Sequence, residues 1–391
     1  MAESTRQEIE DAASLMMGFA DRTGLTGNAP PRRYLWTDAF GVCNFLGLAQ
    51  ATDDDVYRAL ARTLIDQVHR VLGTYRPDDP RTGWISGLGA KEGEEHPTRG
   101  GLRIGKPLPE RGVSEPFDER LEWERDGQYF HYLTKWMHAL NQAYLRTGNS
   151  RYSMWARELA AVAHDAFVRM DGTRVRMVWK MSTDLSRPLV ASMGHHDPLD
   201  GFITCAQLEI TKPPKAKGPN LSSEAADFAG MFAGRDWATA DPLGLGGLLS
   251  DASRVSQLMQ LGAFAASELL DALLDSALRG LREYSERNGL GRRASERLAF
   301  RELGLAIGLR AVGRIENRPE PGDTSRSHAA KLDAALRALA RYESLGAEIR
   351  SFWLAPGHRE TRTWADHRDI NDVMLATSLV PDGFVALSAT P

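Results

Sequence analysis

Cysteine is almost missing from this chain: Cys43 and Cys205 are the two among 391 residues. That count excludes the dense disulfide framework of small secreted domains and any zinc site of the CxxC type. Both cysteines sit in apolar helical patterns, which suits reduced, buried thiols in a cytoplasm; one long-range bridge is the alternative. An excess of charge of one sign is missing too. With 48 basic against 52 acidic residues the formal net charge is −4, so the chain lacks the cationic footprint of a protein that tracks phosphate backbones, and no nucleic-acid partner is expected.

Long hydrophobic runs are absent as well. The most apolar stretch, Leu243 to Leu274, is interrupted by Ser250, Asp251, Arg254 and Glu268, short of the ~20 uninterrupted apolar residues of a membrane span. The polar, acidic start Met1-Ala2-Glu3-Ser4-Thr5-Arg6-Gln7-Glu8 is unlike a signal peptide, so a soluble cytoplasmic protein is expected. There is no Walker A loop, no GxGxxG after a strand, no GxSxG elbow, no kinase signature and no HExxH, which disfavours the usual nucleotide and zinc chemistries. The glycine-rich Asp241-Pro242-Leu243-Gly244-Leu245-Gly246-Gly247 follows no strand and reads as a helix-breaking turn.

What is present is helical periodicity. Leu60, Leu64, Val68 and Leu72, or Leu133, Met137, Leu140 and Tyr144, recur at helical spacing, and the pattern predicts helices over 6–20, 37–51, 54–73, 128–147, 150–170, 198–210, 222–234, 253–284, 297–313, 328–342 and 370–379. Short polar turns such as Thr147-Gly148-Asn149-Ser150 join several of these into antiparallel hairpins. The first helix of each pair is the more apolar and the second carries a charged stripe, as an inner ring backed by an outer ring would require. Strand-like alternation is confined to Thr173–Met181 and Phe384–Leu387. Residues 211–222 and 314–327 read as connectors. About six hairpins fit the length, so one closed, all-α toroidal domain spanning 1–391 is expected.

Residues 76–127 break the pattern with six prolines and many glycines, yet Trp84, Ile85, Leu88, Leu102, Ile104, Phe117 and Trp123 would anchor them. That combination predicts an ordered lid or arm rather than a linker.

Chemistry-bearing residues gather where loops hand over to helices. The four openings are Tyr34-Leu35-Trp36-Thr37-Asp38-Ala39-Phe40, Asp126 to Trp136, Gly194 to Phe202, and Trp364 to Asp372. Asp38, Asp126, Asp197, Asp200 and Asp369 are the candidate acids and nucleophiles; His131, His195, His196 and His367 are candidate proton carriers, since imidazole titrates near neutrality. Trp36, Gln128, Tyr129, Lys135, Trp179, His358, Trp364 and Asn371 are the candidate substrate contacts, the rings as stacking walls. Gln128, His131 and Lys135 are expected on one helix face. Adjacent His195 and His196 would need a third ligand such as His131, His358 or His367 to hold a metal; none at metal spacing is present, and neither metal nor cofactor is expected.

The alternation of apolar and charged helices, with the openings Trp36-Thr37-Asp38, Asp126-Gly127-Gln128-Tyr129-Phe130-His131 and His195-His196-Asp197, resembles the six-hairpin glycosidase-like and N-acylglucosamine 2-epimerase-like (α/α)6-toroid enzymes. The resemblance is architectural and spans most of the chain. It implies an active site at one mouth of the ring, reached by a small-molecule or oligosaccharide substrate. The leading expectation is a glycoside hydrolase using two of the five carboxylates. A sugar epimerase or isomerase using histidines comes next, and a non-catalytic binding scaffold third.

Overall fold

The computed structural model describes residues 3–172, 174–232, 234–287, 289–316 and 326–387. The chain divides into two compact units. An arm unit comprises Ala20–Leu46 and Asp54–Ala233; a C-terminal unit comprises Met1–Phe19, Gly47–Asp53 and Gly234–Pro391.

In the arm unit the helices pair as hairpins. Phe130–Thr147 ends on Gly148, whose left-handed φ of 70° lets its N–H close on the Tyr144 carbonyl at 2.8 Å. Asn149 then caps Ser150–Phe167 by accepting from the Arg151 N–H at 3.2 Å, and the two helices lie against each other. Asp197–Ile210 and Ser222–Phe232 form a second pair. Asp55–Leu72, capped by Asp54, buries the single face Leu60, Leu64, Ile65, Val68 and Leu72, as its charged opposite face requires.

The strand-like stretch after Phe167 is split between two small antiparallel sheets. Arg174–Met177 pairs with Val168–Asp171, whereas Lys180–Met181 pairs with Gln128–Tyr129 on one side and Pro188–Val190 on the other. The chain changes partner at Val178, whose N–H goes to Phe167, and at Trp179, whose N–H goes to Val190. Thr173, placed in the predicted strand, lies outside the described residues. Because Gln128 and Tyr129 are strand, the helix starts only at Phe130, and Gln128 does not share a helical face with His131 and Lys135.

Residues 76–127 contain two short helices, Ala90–Glu95 and Glu119–Glu124, and are otherwise irregular but well anchored. Leu102 and Ile104 are fully buried, and the Ile104 backbone bonds to Leu35 and Gly127. Arg81 holds Asp79, Glu110 and Asp184 together at 2.8–3.0 Å.

The C-terminal unit corrects four sequence expectations. Gly244–Gly247 does not break a helix: Pro242–Gln260 begins there, capped by Asp241. Its glycines permit close approach to Ala299–Glu316, since a Cβ on Gly246 would lie 2.0 Å from the Gly304 carbonyl oxygen and one on Gly308 would lie 2.4 Å from that of Gly246. The predicted helix 253–284 is two helices, Pro242–Gln260 and Ser267–Glu286, parted where Gly262 adopts φ +77°. A helix over Glu343–Leu354 was not foreseen. Phe384–Leu387 is not a strand, because Pro381 starts the helical turn Asp382–Val385 and Gln257 takes up the Val385 carbonyl and the Leu387 N–H. Of the connector 314–327, residues 317–325 lie outside the described set, as does Ala233 of the predicted helix 222–234. Cys43 and Cys205 are buried free thiols, and among the described residues no helix is long and apolar enough to cross a membrane.

Candidate functional site

Three of the four openings fall in the arm unit, and there the polar residues divide into two kinds. The first kind is fully engaged. Asp126 is wholly buried and its Oδ2 receives Arg103 Nη1 at 2.5 Å, with Arg76 Nη1 at 3.7 Å; its Oδ1 accepts from the Gly105 and Lys106 N–H groups. Asp38 accepts from the Tyr34 N–H at 2.8 Å and faces Arg33 Nη1 at 3.4 Å. Gln128 accepts from the Leu102 N–H and donates to the Gly100 and Thr183 carbonyls, so it fastens the arm to the small sheet. Trp36 is buried against Phe40, ring centroids 4.5 Å apart.

The second kind surrounds His131, whose ring is enclosed by aromatics. Trp179 lies nearly parallel to it at 6.0 Å, Tyr129 stacks at 5.3 Å and Tyr132 meets it edge-on at 4.8 Å. Trp123 continues the array outward from Trp179 at 5.0 Å and is 47% exposed. Tyr132 shares a hydroxyl–hydroxyl bond of 2.7 Å with Tyr34, and burial pushes the Tyr34 phenol up to about 12. His131 Nδ1 is buried with no hydrogen-bond partner. Burial drives this imidazole down to about 4, with Asp200 opposing and Lys135 reinforcing the shift, so the ring is neutral at physiological pH.

Lys135 lies one turn beyond His131 and reaches both carboxylate oxygens of Asp200 at 2.8 Å, with Thr134 Oγ1 at 3.2 Å from Asp200 Oδ2. Asp200 comes from the first turn of Asp197–Ile210, and its charge, with Lys135 opposing, acts on Asp197 one turn earlier. Burial foremost, then Asp200, raise the Asp197 carboxyl to about 7, against a lowering backbone hydrogen bond from Gly194. Its Oδ2 is buried without a partner. Gly194 covers that carboxyl so closely that a Cβ there would lie 2.3 Å from Oδ2. Neutral imidazole, ion pair and a carboxyl raised to about 7 thus form one electrostatic cluster of His131, Lys135, Asp200 and Asp197. His195 and His196 have ring centroids 4.7 Å apart at the rim of this opening, His195 exposed and His196 half-buried. Among the described residues no three His, Cys, Asp or Glu side chains are grouped to hold a metal.

The fourth opening belongs to the C-terminal unit. Trp364 is buried against Trp353 at 5.5 Å; Asn371 accepts from the Phe300 N–H and donates to the Trp364 carbonyl; His358 stacks on Phe352 at 3.8 Å with its Nδ1 2.7 Å from the Phe352 carbonyl. His367 is exposed at the helix start beside Phe300, and Asp369 follows in the first turn.

The sequence did not single out His69, which accepts from Trp136 Nε1 at 3.1 Å and is driven by burial down to about 3; Lys180 is also buried, its ammonium satisfied by the Glu122 carboxylate and the carbonyls of Glu122 and Arg125. A lone histidine in an apolar helix face carries no signal of its partner.

No protein-family model and no curated protein matches the chain. Solved structures do. Cellobiose 2-epimerase from Spirochaeta thermophila DSM 6192 superposes over 96% of this chain and 98% of its own at 10% identity, TM-score 0.51. That from Bacillus thermoamylovorans B4167 superposes over 88% of each at 8% identity, TM-score 0.50. The fold is the all-α, (α/α)6 toroid. It is the architecture this chain shares with both neighbours. Toroid and helical hairpins agree with the alternation read from the sequence, and identities this low carry the fold alone.

Proposed function

We propose that this protein is a carbohydrate epimerase or isomerase whose site lies in the arm unit around His131, Lys135, Asp197 and Asp200. The observation that carries the reading is the pair of buried polar atoms left without partners, His131 Nδ1 and Asp197 Oδ2, in a cluster that keeps the imidazole neutral and the carboxyl protonated up to about pH 7. Two proton-transfer groups poised in opposite protonation states are what epimerisation beside a carbonyl needs. Support also comes from the toroid neighbours, both sugar 2-epimerases.

In the proposed reaction an open-chain aldose loses the proton on C2 to the His131 imidazole, the C2–H electron pair becomes the C1–C2 double bond, and O1 takes a proton from Asp197. The enediol then turns about its C2–C3 bond to present its other face, the His131 imidazolium, after exchange with solvent, gives a proton to C2, and O1 returns its proton to the Asp197 carboxylate, so atoms and charge balance without a redox cofactor. Lys135 keeps Asp200 ionised, and that charge in turn keeps the Asp197 proton in place. Tyr129, Trp179 and Trp123 supply the apolar faces on which sugar rings stack, and the 76–127 arm, which carries Trp123, serves as the cover of the site. The two buried thiols suit a reducing cytoplasm.

A hydrolytic reading retains one specific support, a protonated Asp197 one helical turn from an ionised Asp200, the complementary states that glycoside hydrolysis uses. Incubation with cellobiose and with reducing monosaccharides, followed by NMR of the anomeric region, separates the two. A C2 epimer supports the proposal; released glucose from cellobiose supports hydrolysis; neither product from any substrate overturns both.

A further inference from the structure

The aromatic array around His131 has a second branch, which carries none of the proton chemistry above. Beyond Tyr132, edge-on to the imidazole, the Tyr34 ring follows at 5.6 Å, and Lys106 Nζ lies 5.5 Å from the centre of the Tyr34 ring. Tyr34, Lys106, Tyr132, His131 and Trp179 are all half-buried, so each keeps part of its surface open. Trp179 and Trp123 thus extend from the imidazole on one branch, and Tyr34 with Lys106 on the other.

The local backbone fixes Lys106 beside Tyr34 and leaves its side chain unspent. Gly105 adopts φ +92°, and a Cβ on it would lie 2.2 Å from the Arg33 carbonyl oxygen, so the loop passes hard against the residue before Tyr34. Both backbone groups of Lys106 are held: its N–H donates to Asp126 Oδ1 at 3.4 Å and its carbonyl accepts from Arg76 Nη1 at 2.6 Å. Residues 105–108 are tied further to 124–126, since the Leu108 N–H donates to the Glu124 carbonyl at 3.2 Å and the Asp126 N–H to the Leu108 carbonyl at 2.8 Å. By contrast, the Lys106 ammonium makes no hydrogen bond and no ion pair among the described residues, and neither does the exposed Glu124 carboxylate. Burial holds the ammonium below the ordinary lysine range, against the raising charges of Glu124 and Asp126. The Glu124 charge also acts on Tyr34 and Tyr129, so it lies within electrostatic reach of both branches.

Asp126 is already neutralised by Arg103 and Arg76, which leaves Lys106 and Glu124 as two opposite charges with open valences. An ammonium can only donate and a carboxylate can only accept; neighbouring sugar hydroxyls do both, and because the two charges offset each other an anion gains little there. Two rings separate the ammonium from the imidazole, so the hydroxyls it reaches are remote from the carbon at which His131 acts. We infer that Lys106 and Glu124 bind hydroxyls of a second, neutral sugar unit on the non-reducing side of the one that reacts, and are specificity-determining residues for a disaccharide. The inference rests on the site proposed above and not on its reaction.

Tryptophan fluorescence of the full chain tests it, with cellobiitol as probe, because its reduced C1 cannot react, and cellobiouronic acid, whose non-reducing unit carries a carboxylate, as comparator. Cellobiitol is expected to bind the wild type, and to bind Lys106→Met at least about 10-fold more weakly with the thermal transition unchanged, since that variant keeps the apolar stem and loses only the donors. Lys106→Arg is expected to restore most of the affinity, and Glu124→Gln, at an exposed position, to weaken cellobiitol about 3-fold or more. In turnover Lys106→Met is expected to raise KM for cellobiose and leave kcat unchanged. Lack of cellobiitol binding, unchanged affinity in folded Lys106→Met or in Glu124→Gln, or tighter binding of cellobiouronic acid than of cellobiitol to the wild type overturns the inference. Lysine-dependent binding without any C2 epimer overturns the catalytic proposal alone, whereas epimerisation of cellobiose with an unaltered KM in the Lys106→Met variant overturns this inference alone.

Discussion

Residues 122–136 of the arm unit and 353–372 of the C-terminal unit are alike on paper, each mixing tryptophans, histidines and acids at a helix start, yet they spend their polar groups differently. In the C-terminal unit the groups complete the structure: both ends of the Asn371 amide serve backbone groups, Trp353 Nε1 donates to Glu302 at 2.8 Å, and Glu302 is held by Arg297. In the arm unit Asp126, Gln128, Glu122 and Lys180 do the same kind of work, but His131 and the nearby Asp197 retain a buried atom with nothing to bond. Unsatisfied buried polar atoms occur elsewhere too, on Arg33 and Tyr284 among others, but here two of them sit on an imidazole and a raised carboxyl that can transfer protons, which is where a substrate is expected to supply the partners.

The sharpest way to break that contrast is to exchange residues on each side of it. His131→Gln keeps a polar side chain of similar volume but cannot cycle a proton, and is expected to lower kcat for epimerisation by about 10²–10⁴-fold with the thermal transition nearly unchanged. Asp126→Ala should do the opposite kind of damage: it strands Arg103 and costs about 3–5 kcal/mol of stability, read as a shift of the urea midpoint. Asn371→Ala removes one buried and one part-buried hydrogen bond in the C-terminal unit and should cost about 1–3 kcal/mol, with the activity of the folded fraction retained. The smallest effect is expected from Trp123→Ala, on the exposed end of the aromatic array, which should raise KM for a disaccharide roughly threefold to tenfold and leave kcat and KM for a monosaccharide unchanged.

The same two groups give a pH signature. Activity needing neutral His131 and protonated Asp197 is bounded by about 4 on the acid side and about 7 on the alkaline side, and Asp197→Asn should abolish the alkaline limb. Both groups cost stability in their charged forms, with opposite slopes against pH. The His131 imidazole is depressed on folding, so the unfolded chain binds its proton first and stability is lost as pH falls from the unperturbed histidine value toward 4. The Asp197 carboxyl is raised, so the native state holds its proton longer and stability declines as pH rises from the unperturbed aspartate value through about 7. Urea midpoints against pH for the wild type, His131→Gln and Asp197→Asn separate the two slopes.

Most helices were legible because their apolar spacing and caps are local: Gly148 and Asn149 mark one hairpin turn by residue type alone. What was not legible depended on long-range partners. Gly244 to Gly247 reads as a breaker in sequence, and only the glycines of Ala299–Glu316 opposite explain why a helix runs through it. Likewise Asp126 looks as chemical as Asp197 until Arg103 and Arg76 arrive from elsewhere in the chain. The clustering of acids, rings and histidines at 126–136 and 194–202 was visible; which of them have a spare valence was not, because that is decided by partners 20 to 70 residues away.

The most direct test of the central claim is the reaction in deuterium oxide with the reducing disaccharide as substrate, reading C2 by NMR. The account predicts a C2 epimer carrying deuterium at C2 and loss of both in His131→Gln. Cleavage of the disaccharide with no deuterium at C2, or exchange that persists in His131→Gln, would contradict it.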